Sequence, residues 1–135
     1  MADNSFDTPE AFREHILSRV LRDETATPGT LALLDNALRV FPASAALWCL
    51  RGDLVQLCDD DTRLEEVVES YLKAAELDPR NPEPLESLGH FYDGVLDDPA
   101  AAEPYFRQAI ALGAGESARE GLAEVLEQLG STDER

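Results

Sequence analysis

Two histidines, His15 and His90, and two cysteines, Cys49 and Cys58, are the residues of this chain best suited to nucleophilic chemistry or to holding a transition metal. Their spacing argues against both roles. Neither histidine belongs to an H-E-x-x-H or H-x3-H pair, which would set two imidazoles on one helix face for zinc. The cysteines stand nine positions apart, outside a C-x-x-C motif and too few for a disulfide framework. There is no G-x-S-x-G nucleophile elbow and no glycine-rich phosphate loop. The carboxylates Asp59, Asp60 and Asp61, with Glu65 and Glu66, are dense enough to attract a hard cation. They lack the alternating acids, the glycine and the closing glutamate of a calcium loop. The run reads instead as a solvated loop that feeds negative charge into a helix N-terminus. No catalytic residue, metal or cofactor is expected, and the chain does not read as an enzyme.

The elements that carry these residues are helical throughout. Apolar residues recur with a period near 3.6, and no hairpin dipeptide or strand alternation interrupts them. Seven helices are expected, near 9–23, 27–41, 45–58, 63–77, 82–95, 99–112 and 116–129. Thr8, Ser44, Asn81 and Asp98 stand where a side chain caps the exposed N–H groups of a helix start, and Thr62 with Glu65 reads as a capping box. Pro104 lies deep enough in the sixth helix to kink it or delay its start. The inward stripes include Phe12, Ile16, Leu17, Val20 and Leu21 in the first helix, Val67, Val68, Tyr71 and Leu72 in the fourth, and Leu122, Val125, Leu126 and Leu129 in the seventh. Connections of two to six residues force neighbouring helices antiparallel.

With 135 residues, the chain suits one domain that buries a core without staples. Its charge is unusual: 28 acidic residues face 11 basic ones, a net charge of −17. Such a surface repels nucleic-acid phosphates and anionic membranes and favours a basic partner. The first residues, "MADNSFDTPEAF", have neither the basic start nor the apolar core of a signal peptide. No apolar run reaches the length of a membrane span. A cytoplasmic protein is expected.

A repeat organises the helices. Thr30, Leu34, Ala37 and Pro42 are spaced four, three and five apart, and so are Val67, Tyr71, Ala74 and Pro79, and Ala102, Phe106, Ala109 and Ala114. The alternate helices match one another as well: Leu85, Leu88, Gly89 and Tyr92; Trp48, Arg51, Gly52 and Val55; and, more loosely, Glu14, Leu17, Ser18 and Leu21. Each set places a tiny residue (Ser18, Gly52, Gly89) where a second helix can press close.

These spacings resemble the tetratricopeptide repeat, W-x2-L-G-x2-Y…A-x3-F-x2-A…P over 34 residues. The third unit, "LGHFYDGVLDDPAAAEPYFRQAIALG", also resembles the Sel1-like variant of the same hairpin. Glu14 and Leu85 replace the motif tryptophan, Arg51 a leucine, and Ala114 the proline. The resemblance implies an all-α right-handed solenoid of antiparallel helix pairs. It sets a leader at 1–10 and a single domain at 11–130, with repeats 11–44, 45–81 and 82–116, a capping helix at 117–130 and a disordered tail at 131–135.

It also implies a partner groove lined by the first helix of each repeat. That groove would present Phe12, His15, Arg19 and Arg22, then Cys49, Asp53, Gln56 and Leu57, then Glu83, Glu86, His90 and Asp93. The carboxylate clamp of some tetratricopeptide proteins is not reproduced, because Glu83 and Ser87 stand where it has basic groups. The expectation is a non-catalytic protein-binding module, an adaptor, chaperone or immunity-type binder. It would hold a peptide or protein segment with its basic part over Asp53, Glu86 and Asp93 and its acidic part near Arg19 and Arg22. The alternative is a structural protein that self-associates into homo-oligomers.

Overall fold

A computed structural model of the chain describes residues 8–23, 26–58 and 63–132. Among them every regular element is helical: α1 (Pro9–Asp23), α2 (Pro28–Val40), α3 (Ala45–Leu57), α4 (Leu64–Leu77), α5 (Glu83–His90), a π-helical turn (Phe91–Val95), α6 (Pro99–Ala111) and α7 (Glu116–Thr132). The acidic run 59–61, Thr62 of the expected capping box, residues 1–7 of the expected leader and residues 133–135 of the expected tail lie outside the described residues.

The caps are side-chain oxygens that accept from backbone N–H groups lacking a helical partner. Thr8 accepts from Ala11 at 3.1 Å, Thr27 from Thr30 at 3.2 Å and Ser44 from Leu47 at 3.2 Å. At α5 the N-cap is Pro82 and not the expected Asn81, which stands one residue earlier and accepts from Glu83 at 3.0 Å; Asp98 caps α6, accepting from Ala101 at 3.2 Å. Each such cap is worth about 1 kcal/mol. The sixth helix is not delayed by Pro104: it starts at Pro99 and runs through to Ala111. Pro104 and Ala100, whose carbonyl loses its donor, are both exposed, so water takes the place of the missing bond. The fifth helix is shorter than expected. Beyond His90 the pattern opens by one residue, and Leu96 N–H donates to the Phe91 carbonyl at 3.1 Å. The seventh is longer than expected and continues to Thr132.

The chain gathers into two compact units, Met1–Leu77 and Asp78–Arg135, divided within the proline-studded connection after α4. In the first unit, Ile16, Leu34, Leu38, Leu47, Leu54 and Val67 are buried among α1–α4. In the second, Ala102, Phe106, Ala109, Ala114, Ala118 and Val125 form one cluster, with Leu85, Tyr92, Ile110, Leu122 and Leu129 packed against it. Each fully buried leucine or phenylalanine contributes roughly 1.5–3 kcal/mol.

The repeat positions are where this burial concentrates. Thr30, Leu34 and Ala37, Val67, Tyr71 and Ala74, and Ala102, Phe106 and Ala109 are all at most 1% exposed. The two motif glycines meet the aromatic of their own hairpin. A β-carbon on Gly52 would stand 2.7 Å from the Tyr71 ring, and one on Gly89 would stand 2.7 Å from the Phe106 ring. The first unit departs from the expected register. Ser18 is exposed and Leu21 is 78% exposed. The buried residues of α1 are Phe12 and Ile16, one turn apart, because α1 packs against both α2 and α3 and turns Leu21 outward. Leu72 and Leu126, expected inside, also lie at the surface edge of their helices.

Arg51 explains its own departure from the motif. Its guanidinium donates through Nε to Asp35 on α2 at 3.0 Å, through Nη1 to Ser70 on α4 at 3.0 Å and through Nη2 to Glu66 on α4 at 2.7 Å. Arg63 closes the cluster with two bonds to Glu66, at 3.0 and 2.8 Å. An aliphatic leucine would fill the space, whereas the planar arginine ties three helices with directed bonds. Hydrogen bonds from Arg63 and then Arg51 outweigh the cost of burial and pull the Glu66 carboxyl down to about 2.

Candidate functional site

The residues expected to line the groove fall on the first helix of each hairpin: α1, α3, and α5 with its π turn. On α1, His15 and Arg22 are exposed and Arg19 is half-buried. Phe12 is 5% exposed and meets Phe41 edge-on, with ring centroids 6.0 Å apart, so it belongs to the core and does not present a groove surface. Phe91, which sits between motif positions, is likewise core at 2% exposed.

On α3, Asp53, Gln56 and Leu57 are exposed and Cys49 is half-buried. Their spacing of three and four residues puts them on one face. Two of them are held from beneath. The buried Tyr71 hydroxyl of α4 donates to Asp53 Oδ1 and accepts from Gln56 Nε2 at 2.9 Å. Burial, with the Asp53 carboxylate beside it, pushes the Tyr71 phenol far above its ordinary value, so it remains a neutral donor.

On α5 and the π turn, Glu83 and His90 are exposed, and Glu86 and Asp93 are half-buried. Here the side chains are held from α7. His90 Nε2 lies 3.2 Å from Ser117 Oγ, and Gln128 Nε2 donates to Asp93 Oδ1 at 3.0 Å. Glu86 Oε2 approaches the same His90 nitrogen at 3.6 Å. The imidazole stands edge-on to Phe106, with centroids 4.9 Å apart. A catalytic relay needs a serine at one ring nitrogen and a carboxylate at the other. Ser117 and Glu86 share Nε2, so this trio is a surface hydrogen-bond cluster and not such a relay.

Tyr71 and Phe106 occupy the same repeat position, and the difference between them is one hydroxyl. With it, α3 has its face fixed by its own hairpin. Without it, α5 has its face fixed by α7. The sequence-based expectation named Asp53, Gln56, His90 and Asp93 for the groove and did not include Tyr71, Ser117 and Gln128, which bond to them. A signal for the last two was present, because Ser117, Gly121, Glu124 and Gln128 recur along one face of the last helix.

Among the described residues, no group of three or more His, Cys, Asp or Glu side chains converges as a metal-ligand set. None of the described helices is long and apolar enough to cross a membrane.

No protein-family model matches the chain, and no curated protein sequence matches it at a significant level. Solved structures do match its fold. PilW, a widely conserved type IV pilus biogenesis factor, superposes with a TM-score of 0.77 at 19% identity, over 96% of this chain and 58% of PilW. The chain therefore spans a little over half of that structure. The Sgt2 TPR domain from Aspergillus fumigatus superposes with a TM-score of 0.78 at 16% identity, over 95% of this chain and 83% of that domain. The chain has the all-helical fold of these structures, the Sgt2 TPR domain among them.

Proposed function

We propose that this protein is a non-catalytic protein-binding module whose partner carries a basic segment. Basic side chains of the partner meet Asp53 on α3 and Glu86 and Asp93 on α5 and its π turn. An acidic part of the partner meets Arg19 and Arg22 on α1. The observation that carries this reading is a surplus of carboxylates, some of them held in fixed positions. Residues 78–132 carry eleven acidic residues against three arginines, and Asp53 and Asp93 are oriented by the neutral donors Tyr71 and Gln128. Preset carboxylates select and steer a basic partner more than they add raw affinity.

The test begins with partners captured from the native organism at low and at high salt, because exposed pairing is screened as salt rises. The affinity of an identified partner is then measured for the wild type and for the Glu86→Lys/Asp93→Lys double variant. A loss of about tenfold or more is expected. Unchanged affinity overturns the reading. A mass that rises with protein concentration in sedimentation would favour a self-associating structural role instead.

A further inference from the structure

The side chain of Tyr71 is core, yet its single polar atom reaches the surface of α3. Gly52 lets the ring lie flat against the α3 backbone, and this packing sets where the hydroxyl stands. A carboxylate has no proton to give, so the one phenolic hydrogen goes to Asp53. The hydroxyl oxygen then accepts the amide N–H of Gln56. This fixes two exposed groups at once. Asp53 is held as an acceptor, and Gln56, with its NH2 end turned to Tyr71, directs its carbonyl end away from the hydroxyl. The result is two acceptors on adjacent turns of one helix, a carboxylate and an amide carbonyl, oriented from beneath by one buried group. A guanidinium, planar and rich in N–H donors, matches paired acceptors better than an ammonium point charge does.

We propose that Tyr71 is a positioning residue that presets Asp53 and Gln56 as a paired acceptor site for an arginine side chain of the protein partner. This rests on the partner-binding reading above and adds to it a particular side chain and the residue that tunes the site. The second unit has no counterpart, because Phe106 brings no hydroxyl to the same repeat position.

The test uses the full chain with two probes, hexaarginine amide and hexalysine amide, titrated at fixed salt by calorimetry. Tyr71→Phe removes only the hydroxyl, Asp53→Asn removes the charge, and Glu69→Gln removes a charge from the exposed side of α4 as a control. Tyr71→Phe and Asp53→Asn should each weaken hexaarginine by about threefold to tenfold, and Glu69→Gln by less than about twofold. The Tyr71→Phe/Asp53→Asn double variant should lose no more than Asp53→Asn alone, since both act through one contact.

An effect of Asp53→Asn without one of Tyr71→Phe overturns the positioning role. Equal losses for hexalysine overturn the arginine assignment. If Asp53→Asn behaves like Glu69→Gln while Glu86→Lys/Asp93→Lys still weakens the native partner, the α3 site is wrong and the broader reading stands. Should Tyr71→Phe fold poorly, the exposed Gln56→Ala serves in its place, and hexaarginine affinity unchanged by it overturns the site.

Discussion

The ring of Tyr71 and the backbone of Gly52 are so close that no β-carbon fits between them, since one would stand 2.7 Å from the ring. The ring has little room to yield, because its hydroxyl is bonded to Asp53 and Gln56 at the far side of the same contact. Gly52→Ala should therefore destabilise the protein by about 1–3 kcal/mol through overpacking. Gly94 is the opposite case: nothing lies within 4 Å of its β-position. Gly94→Ala should stabilise by about 0.4–1 kcal/mol, by restricting the unfolded chain. Chemical denaturation of the two variants beside the wild type checks both signs.

Arg51 is expected to reveal itself by the ranking of its replacements. Arg51→Ala removes three directed bonds and the packed side chain, and should cost about 1–3 kcal/mol. Arg51→Leu restores the motif residue and part of the packing, so it should cost less than Arg51→Ala. Glu66 keeps Arg63 in either variant, and the buried Ser70 still donates to the Glu66 carbonyl at 2.7 Å, so neither change strands a buried group. Urea midpoints of the three proteins give the ranking.

Glu66 makes the acid limb of stability testable. Its carboxyl is held at about 2 in the fold against an ordinary value of 4.5. A group lowered in this way contributes fully above the ordinary value and loses that contribution as pH falls toward the folded one. The stability difference between the wild type and Glu66→Gln should thus be greatest above about pH 4.5 and shrink as pH falls toward 2. Denaturant midpoints across that range decide the matter.

The alkaline limb belongs to Tyr71. Its phenol is raised, so the fold favours the neutral form, and stability is retained below the ordinary value of 10. Above it the unfolded chain ionises and the fold does not, so stability falls as pH rises. Tyr71→Phe should show a shallower decline above pH 10, read by unfolding midpoints and by phenolate absorbance.

Much of this architecture was legible in the sequence because the informative spacings are local. The four-three pattern through Val67, Tyr71 and Ala74 marks a helix face, and all three residues are buried. The small residues Gly52 and Gly89 announced a close approach that the Tyr71 and Phe106 rings make. Ser18 did not conform, because periodicity shows that a face exists but leaves its exact centre open. The same limit put Leu21, Leu72 and Leu126 inside, when Leu72 and Leu126 sit at the surface edge of their helices and Leu21 faces outward. The pairings that hold the candidate faces were hidden for another reason, although Ser117 and Gln128 do recur on one face of α7. Tyr71 to Asp53 and Gln128 to Asp93 are pairings between separate helices, and no period along the chain encodes which polar tips will meet.

The π turn at Phe91–Val95 bears on how the third repeat tolerates insertions and deletions. Its expected span, 82–116, is one residue longer than the 34-residue norm. A turn closed by an i→i+5 bond takes up one residue more than an α turn, without carrying a shift in phase into the next helix. The surplus is thus confined between Gly89 and Phe106, and the two still meet. Alignments that allow no gap inside this helix would slip by one position from Phe91 onward. Deleting Gly94, whose β-position is open, is the length change this stretch should absorb most readily.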